Sequence, residues 1–180
     1  ATGEDKEGIV IDVRYNGGGW TTDYLLTVLQ YQQHAYTIPR GATSNLQKNK
    51  TKFREHYPFG ERLPLSSWTQ NSITLANQNS YSNAEIFSHA FKNLDLGTLV
   101  GEPTFGAVIS TGGAGLMGGS YVRLPFRGWY VKATNKNMEH GPARPDIKVI
   151  NPPDYRGGED VQLKRAVNEL LDQTENSGSN

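Results

Sequence analysis

Apolar residues are distributed along this chain in two ways, continuous in short runs and spaced every third or fourth position in longer ones. The run GIVIDV at residues 8–13 is short and rich in β-branched side chains, which predicts a buried strand. RYNGGG follows; three successive glycines suit neither strand nor helix and predict a turn. A helical period starts at Trp20, with Thr21 or Thr22 as N-cap and Tyr24, Leu25, Val28 and Leu29 on one face. Residues 38–70 are polar and aperiodic and predict a long surface excursion, which in a compact domain is functional or mobile. Strand character returns at 72–78. The polar junction NSYSNAE comes next, then a helix from Asn83 whose stripe is Ile86, Phe87, Ala90, Phe91 and Leu94. Residues 97–102 predict another strand and 104–133 a set of strands and Gly-rich hairpins. A last helix near 160–172 carries Leu163, Ala166, Val167, Leu170 and Leu171 at helical spacing. The β-α-β-α alternation predicts an α/β domain with a partly parallel sheet over 1–173, and a disordered tail at 174–180.

Composition narrows the function classes. The 180 residues suffice for one domain with a real core, and 18 basic residues balance 18 acidic ones. That balance gives no basic field for nucleic acid or an anionic membrane, and no apolar run approaches the roughly 20 residues of a membrane span. With no Cys, disulfides and thiolate metal sites are excluded. The four His show no ligand spacing, so neither a metal nor another cofactor is expected. The chain enters its first strand almost at once, which predicts further domains of the same polypeptide upstream.

Chemistry is expected where strands run into helices. The two such junctions are DVRYNGGGW and NQNSYSNAEIF. Ser82 stands at the N-cap position of the second. Its plain role is a helix cap. A hydroxyl placed there can also act as a nucleophile, because the following N–H groups and the positive end of the helix favour an oxyanion. A Gly-rich turn on the neighbouring strand lets backbone come close and supply a second N–H. No phosphate-loop motif accompanies it.

Taken together and in order, GIVIDVRYNGGG, NQNSYSNAEIFSHAFKNLDLGTLVGEPTFGAV, RLPFRGWYV, NMEHGPARPDI and EDVQLKRAVNELL resemble the tail-specific (C-terminal processing) and tricorn core serine peptidases over residues 7–172. The resemblance implies a ClpP/crotonase-like fold of stacked β-β-α units and hydrolysis of peptide or protein substrates by acyl transfer. It places the nucleophile at Ser82, with Ser80 as competitor. The oxyanion donors it implies are the N–H of Asn83 and one from the glycine turn: Gly18 first, with Gly17 and Gly19 as neighbours. Glu85 reads as a first-turn helix charge.

The tail-specific branch activates its serine with a Lys after TFG, and here that position holds Ala107. Lys132 and Lys136 do not match it and read as surface residues. The tricorn branch instead uses a Ser–His–Ser–Glu tetrad, whose Glu corresponds to Glu139 in MEHGPARPD. The implied base His and second Ser lie upstream of the DVR strand, so this chain alone is expected to hydrolyse little or nothing. His89 lies seven residues into the helix that follows Ser82, about 10 Å along its axis, too far to serve. His34, His56 and His140 do not match the base either. The alternatives are a non-catalytic peptide-binding domain that keeps the fold, and a crotonase-like acyl-CoA enzyme. Side-chain specificity, compartment (cell envelope or cytoplasm) and homo-oligomer formation stay open.

Overall fold

The structure, a computed structural model, describes residues 6–30, 35, 37–38, 40–42, 44–45, 50–53, 67–153 and 157–177. The chain divides into two compact units, residues 1–6 with 23–69 and residues 7–22 with 70–180. Among the described residues the first unit contains nearly all of helix α1 (Thr22–Leu29) and a 3-10 turn at Lys50–Phe53. Within it the Trp68 N–H donates to the Val28 carbonyl at 2.9 Å. Most of the 38–70 excursion, His56 included, lies outside the described residues, as does His34.

The second unit is built on four parallel strands in the order β1 (Gly8–Asp12), β2 (Asn71–Ala76), β3 (Thr98–Gly101) and β8 (Ile147–Lys148). Register runs Val10 to Ile73 and Ile73 to Thr98. The predicted α/β class and parallel sheet are therefore present. Helix α2 (Asn83–Asn93) connects β2 to β3, and helix α3 (Val161–Ser177) closes the chain. Strand parity explains the two apolar layers. Ile73, Leu75 and Val100 pack with Ala166 of α3, joined by Val10, Ile147, Val149 and Leu170. Thr74, Ala76 and Leu99 have the opposite parity and are fully buried as well. β2 is thus buried on both faces, its polar Ser72 and Thr74 included.

Between β3 and β8 lie two antiparallel pairs. The longer is β4 (Ile109–Gly115) with β5 (Tyr121–Gly128), closed by a 3-10 turn at Met117–Gly119; the shorter is β6 (Tyr130–Val131) with β7 (Lys136–Asn137).

Two expectations from periodicity are corrected. Helix α3 runs past residue 173 to Ser177, because Gln173 donates to Thr98 Oγ1 at 2.9 Å and Thr174 Oγ1 donates to the Leu170 carbonyl at 2.8 Å. Its apolar stripe is only half covered. Ala166 and Leu170 pack on the sheet, whereas Leu163, Val167 and Leu171 are exposed.

The end of β1 is fastened to the start of α3. The Arg14 side chain is 8% exposed and reaches Asp160 through Nη1 at 2.9 Å and Nη2 at 2.8 Å, and Asp12 through Nη2 at 2.7 Å. Asp160 Oδ1 also accepts the Leu163 N–H at 3.0 Å, an N-terminal cap on α3. The hydrogen bond from Arg14 leads the causes that depress the Asp160 carboxyl to about 2. Burial works to lower the Arg14 guanidinium, but its bonds to Asp12 and Asp160 prevail and raise it.

Candidate active site

The strand-to-helix turns after β1 and β2 lie side by side and are bonded to each other. The Tyr81 N–H donates to the Asn16 carbonyl at 3.0 Å, and the Tyr15 N–H to Asn77 Oδ1 at 3.3 Å. Ser80 joins them further: its buried hydroxyl donates to the Val13 carbonyl at 2.9 Å and accepts the Asn77 N–H at 3.0 Å. A hydroxyl so bonded on both sides ties the two turns together, which favours a structural role for Ser80.

Ser82 differs. It is half-buried, at the rim of a cleft, and its backbone sits at φ 57°, ψ −111°. A non-glycine residue with that backbone carries about 1–3 kcal/mol of strain and persists because its surroundings hold it. The neighbouring Gly18 has φ +103°, and a methyl group added there would lie 2.9 Å from Ser82 Cβ and 3.2 Å from Oγ. Glycine is thus needed twice over at that position, for the backbone and for the room left to the hydroxyl.

The structure also engages two groups that sequence reading left free. The Gly18 N–H donates to Asn16 Oδ1 at 2.9 Å, a local turn, whereas Gly17 and Gly19 line the cleft. The Asn83 side chain braces the glycine turn from the other side. Its Oδ1 accepts the N–H groups of Thr21 at 2.9 Å and Thr22 at 3.0 Å, and Thr22 Oγ1 donates to the Asn83 carbonyl at 2.9 Å. Among the described residues the Asn83 N–H has no acceptor.

Glu85 is more than a first-turn charge. It is fully buried and its carboxylate accepts four bonds. They come from the Ser82 N–H at 3.1 Å, the Thr104 hydroxyl at 2.8 Å, the Gly106 N–H, and the Ala107 N–H at 3.0 Å. The first is the reach-back bond of a capping box. The other three hold the segment after β3 against the Ser82 turn. The sole sequence signal was the S-x-x-E spacing; the partners 19 to 22 residues on left none.

Glu139 follows β7, and its loop is tied in series to the same centre. The His140 N–H donates to the Gly106 carbonyl at 2.8 Å, and Ala143 exchanges two bonds with Thr104 at 2.9 and 3.0 Å. Glu139 Oε2 is buried and has no hydrogen-bond partner among the described residues. Such an atom calls for an explanation, since buried carboxylate oxygens are almost always bonded.

His140 is exposed, as are Lys132 and Lys136. His89 is committed elsewhere, its Nε2 donating to the Gly141 carbonyl at 2.9 Å, and burial pushes its imidazole below the ordinary value.

The cleft beside Ser82 encloses about 320 Å³. Ile86, Val108 and Trp129 give it an apolar floor that continues into the small core of Val131 and Met138. Trp129 Nε1 donates to Ser110 Oγ at 2.9 Å and fixes one wall. The arrangement joins a hydroxyl on a strained backbone, the Asn83 N–H, which has no acceptor among the described residues, and an open groove.

Peptidase family S41 matches residues 1–149 of the chain. The tricorn protease of Thermoplasma volcanium is 30% identical over 172 residues, covering 94% of this chain and 15% of that protein. A tricorn protease homolog of Saccharolobus solfataricus is 28% identical over 172 residues, covering 93% and 14%. In the crystal structure of the tricorn protease the similar region superposes with a TM-score of 0.74 at 27% identity, over 94% of this chain and 15% of that one. The chain therefore spans about a seventh of the length of these relatives.

Proposed function

The chain belongs to peptidase family S41 with the features of a tricorn-like serine peptidase domain, and on that premise we propose that it cleaves peptide bonds through Ser82. The observation that carries this reading is the strained, half-buried Ser82 beside Gly18, opening on a groove that Ser80 and Glu85 do not serve chemically.

In the proposed reaction Ser82 Oγ attacks the scissile carbonyl and passes its proton to a base. The tetrahedral oxyanion accepts the Asn83 N–H and a second N–H from the Gly17–Gly19 turn. Gly18 serves when the Asn16 side chain turns away, which frees its N–H. Collapse expels the amine, which takes the proton, and leaves an acyl-enzyme that water hydrolyses. Glu139 orients and charge-stabilises the base through a second serine, and its unpartnered Oε2 supports that role. The base histidine and the second serine are supplied by an upstream domain of the same polypeptide. Peptides or proteins are the substrates, and no cofactor takes part.

The test is a fluorophosphonate probe applied to the full-length polypeptide, with the labelled site read by mass spectrometry. The expected label is on Ser82, absent in Ser82→Ala. Labelling of Ser80 or another serine overturns the assignment.

A further inference from the structure

The groove beside Ser82 has a lopsided electrostatic character. Its lining comprises aromatic, aliphatic, hydroxyl and amide side chains and one formal charge, that of Arg123 on β5. The guanidinium is held in place by a neutral partner: Nε and Nη2 both donate to Thr111 Oγ1, at 3.3 and 2.9 Å. Thr111 stands on β4, two positions from the Gly113 that pairs with Arg123, and lines the same groove. No carboxylate pairs with Arg123 among the described residues.

Arg14 shows the contrast within the same molecule. There a guanidinium is saturated by two carboxylates and serves the scaffold. Arg123 is aimed by a hydroxyl and keeps donors to spare. A guanidinium is a flat fork that suits a carboxylate with two parallel bonds. A charge left uncompensated in a substrate groove favours ligands of the opposite sign.

Building on the proposed peptidase reading, we infer that Arg123 selects peptides that present a carboxylate in the Ser82 groove. The apolar floor of Ile86, Val108 and Trp129 takes a neighbouring apolar side chain. Two parts of a peptide carry the required chemistry, an Asp or Glu side chain and a free C-terminus.

The test measures binding, so it does not depend on turnover. Fluorescein-labelled hexapeptides differing at one position (Glu, Gln or Lys) are made with free and amidated C-termini. Their affinities are measured by anisotropy on the full chain carrying Ser82→Ala. At least one carboxylate-bearing peptide binds about tenfold more tightly than its neutral counterpart. Adding Arg123→Gln erases the difference, and Arg123→Lys restores part of it. Arg123 is exposed, so these changes leave the fold intact, which circular dichroism checks. Preference for Glu with an amidated end assigns a side chain; preference for the free end at every position assigns the C-terminus. Binding blind to charge, or a preference that survives Arg123→Gln, overturns the inference. Fluorophosphonate labelling run in parallel separates the two readings. A label on Ser82 with charge-blind binding refutes the role of Arg123 alone, whereas neither label nor binding refutes both.

Discussion

Glu85 and Glu139 are the same side chain in two settings a few hydrogen bonds apart. Glu85 is fully buried and accepts four bonds that pin the Ser82 turn to residues 104–107. Glu139 sits on a loop fastened to that segment, yet one of its buried oxygens has no partner among the described residues. A saturated carboxylate holds structure, because removing it strands its donors. A carboxylate with an idle oxygen contributes little to holding the fold and has a bond left to offer. On the proposed reading, the difference separates scaffold from chemistry in a region where the bare sequence shows two glutamates near polar turns.

The strongest way to break this contrast is Glu85→Ala. Four donors lose their acceptor, and destabilisation of about 3–5 kcal/mol is expected. That is a fall of roughly 6–20 °C in Tm for a domain of this size, read by thermal denaturation. A Tm within 2–3 °C of wild type, on the order of 1 kcal/mol, would remove Glu85 from the scaffold.

Gly18→Ala comes next, at about 1–3 kcal/mol, from a side chain forced to positive φ and pushed against Ser82. Because the added methyl meets the hydroxyl itself, fluorophosphonate labelling of Ser82 should slow about tenfold or more, an order-of-magnitude expectation for a displaced nucleophile.

A smaller effect tests the far edge of the same scaffold. The Asp160 carboxyl falls from its ordinary 3.8 to about 2 on folding. A depressed carboxyl stabilises the fold fully above its unfolded value and stops doing so as pH drops through its folded value. The stability gap between wild type and Asp160→Asn should therefore be constant above about pH 4 and shrink toward pH 2. The lost amount is about 1 kcal/mol after allowance for solvent screening, measured by urea titration across that range. A gap independent of pH would show that the pair with Arg14 contributes no charge-dependent stability.

The least change in stability belongs to Glu139→Gln. Stability should stay within about 0.5 kcal/mol of wild type, while Ser82 labelling in the full-length polypeptide falls by about tenfold or more. A loss of stability matching that of Glu85→Ala would erase the distinction between the two residues.

Much of the framework was readable from local pattern. SITLA and TLVG announce buried strands, and the glycine run and the polar NSYSNAE segment mark the turns where chemistry could sit; GIVIDV announces a strand, but β1 lies at the sheet edge, half-buried with Ile9 exposed, so its expected burial is corrected. The bonds that make those turns a site were not readable, because they join residues far apart in the chain. Asn83 reaches back 61 and 62 residues to Thr22 and Thr21, and Arg14 spans 146 residues to Asp160. Periodicity also overstated burial. Leu163, Val167 and Leu171 share the helical spacing of Ala166 and Leu170 but are not covered by the sheet, and Leu94 falls just beyond α2 and is exposed. Spacing reports which positions share a face; coverage depends on what packs there.

The backbone of Ser82 restricts what evolution or an engineer can install at that position. At φ 57° a β-branched residue would clash with its own main chain. Threonine, the other aliphatic alcohol among the amino acids, is therefore strongly disfavoured there. Cysteine is unbranched and fits the same torsion, so if Ser82 attacks as proposed, a thiol variant is the swap that the turn itself permits.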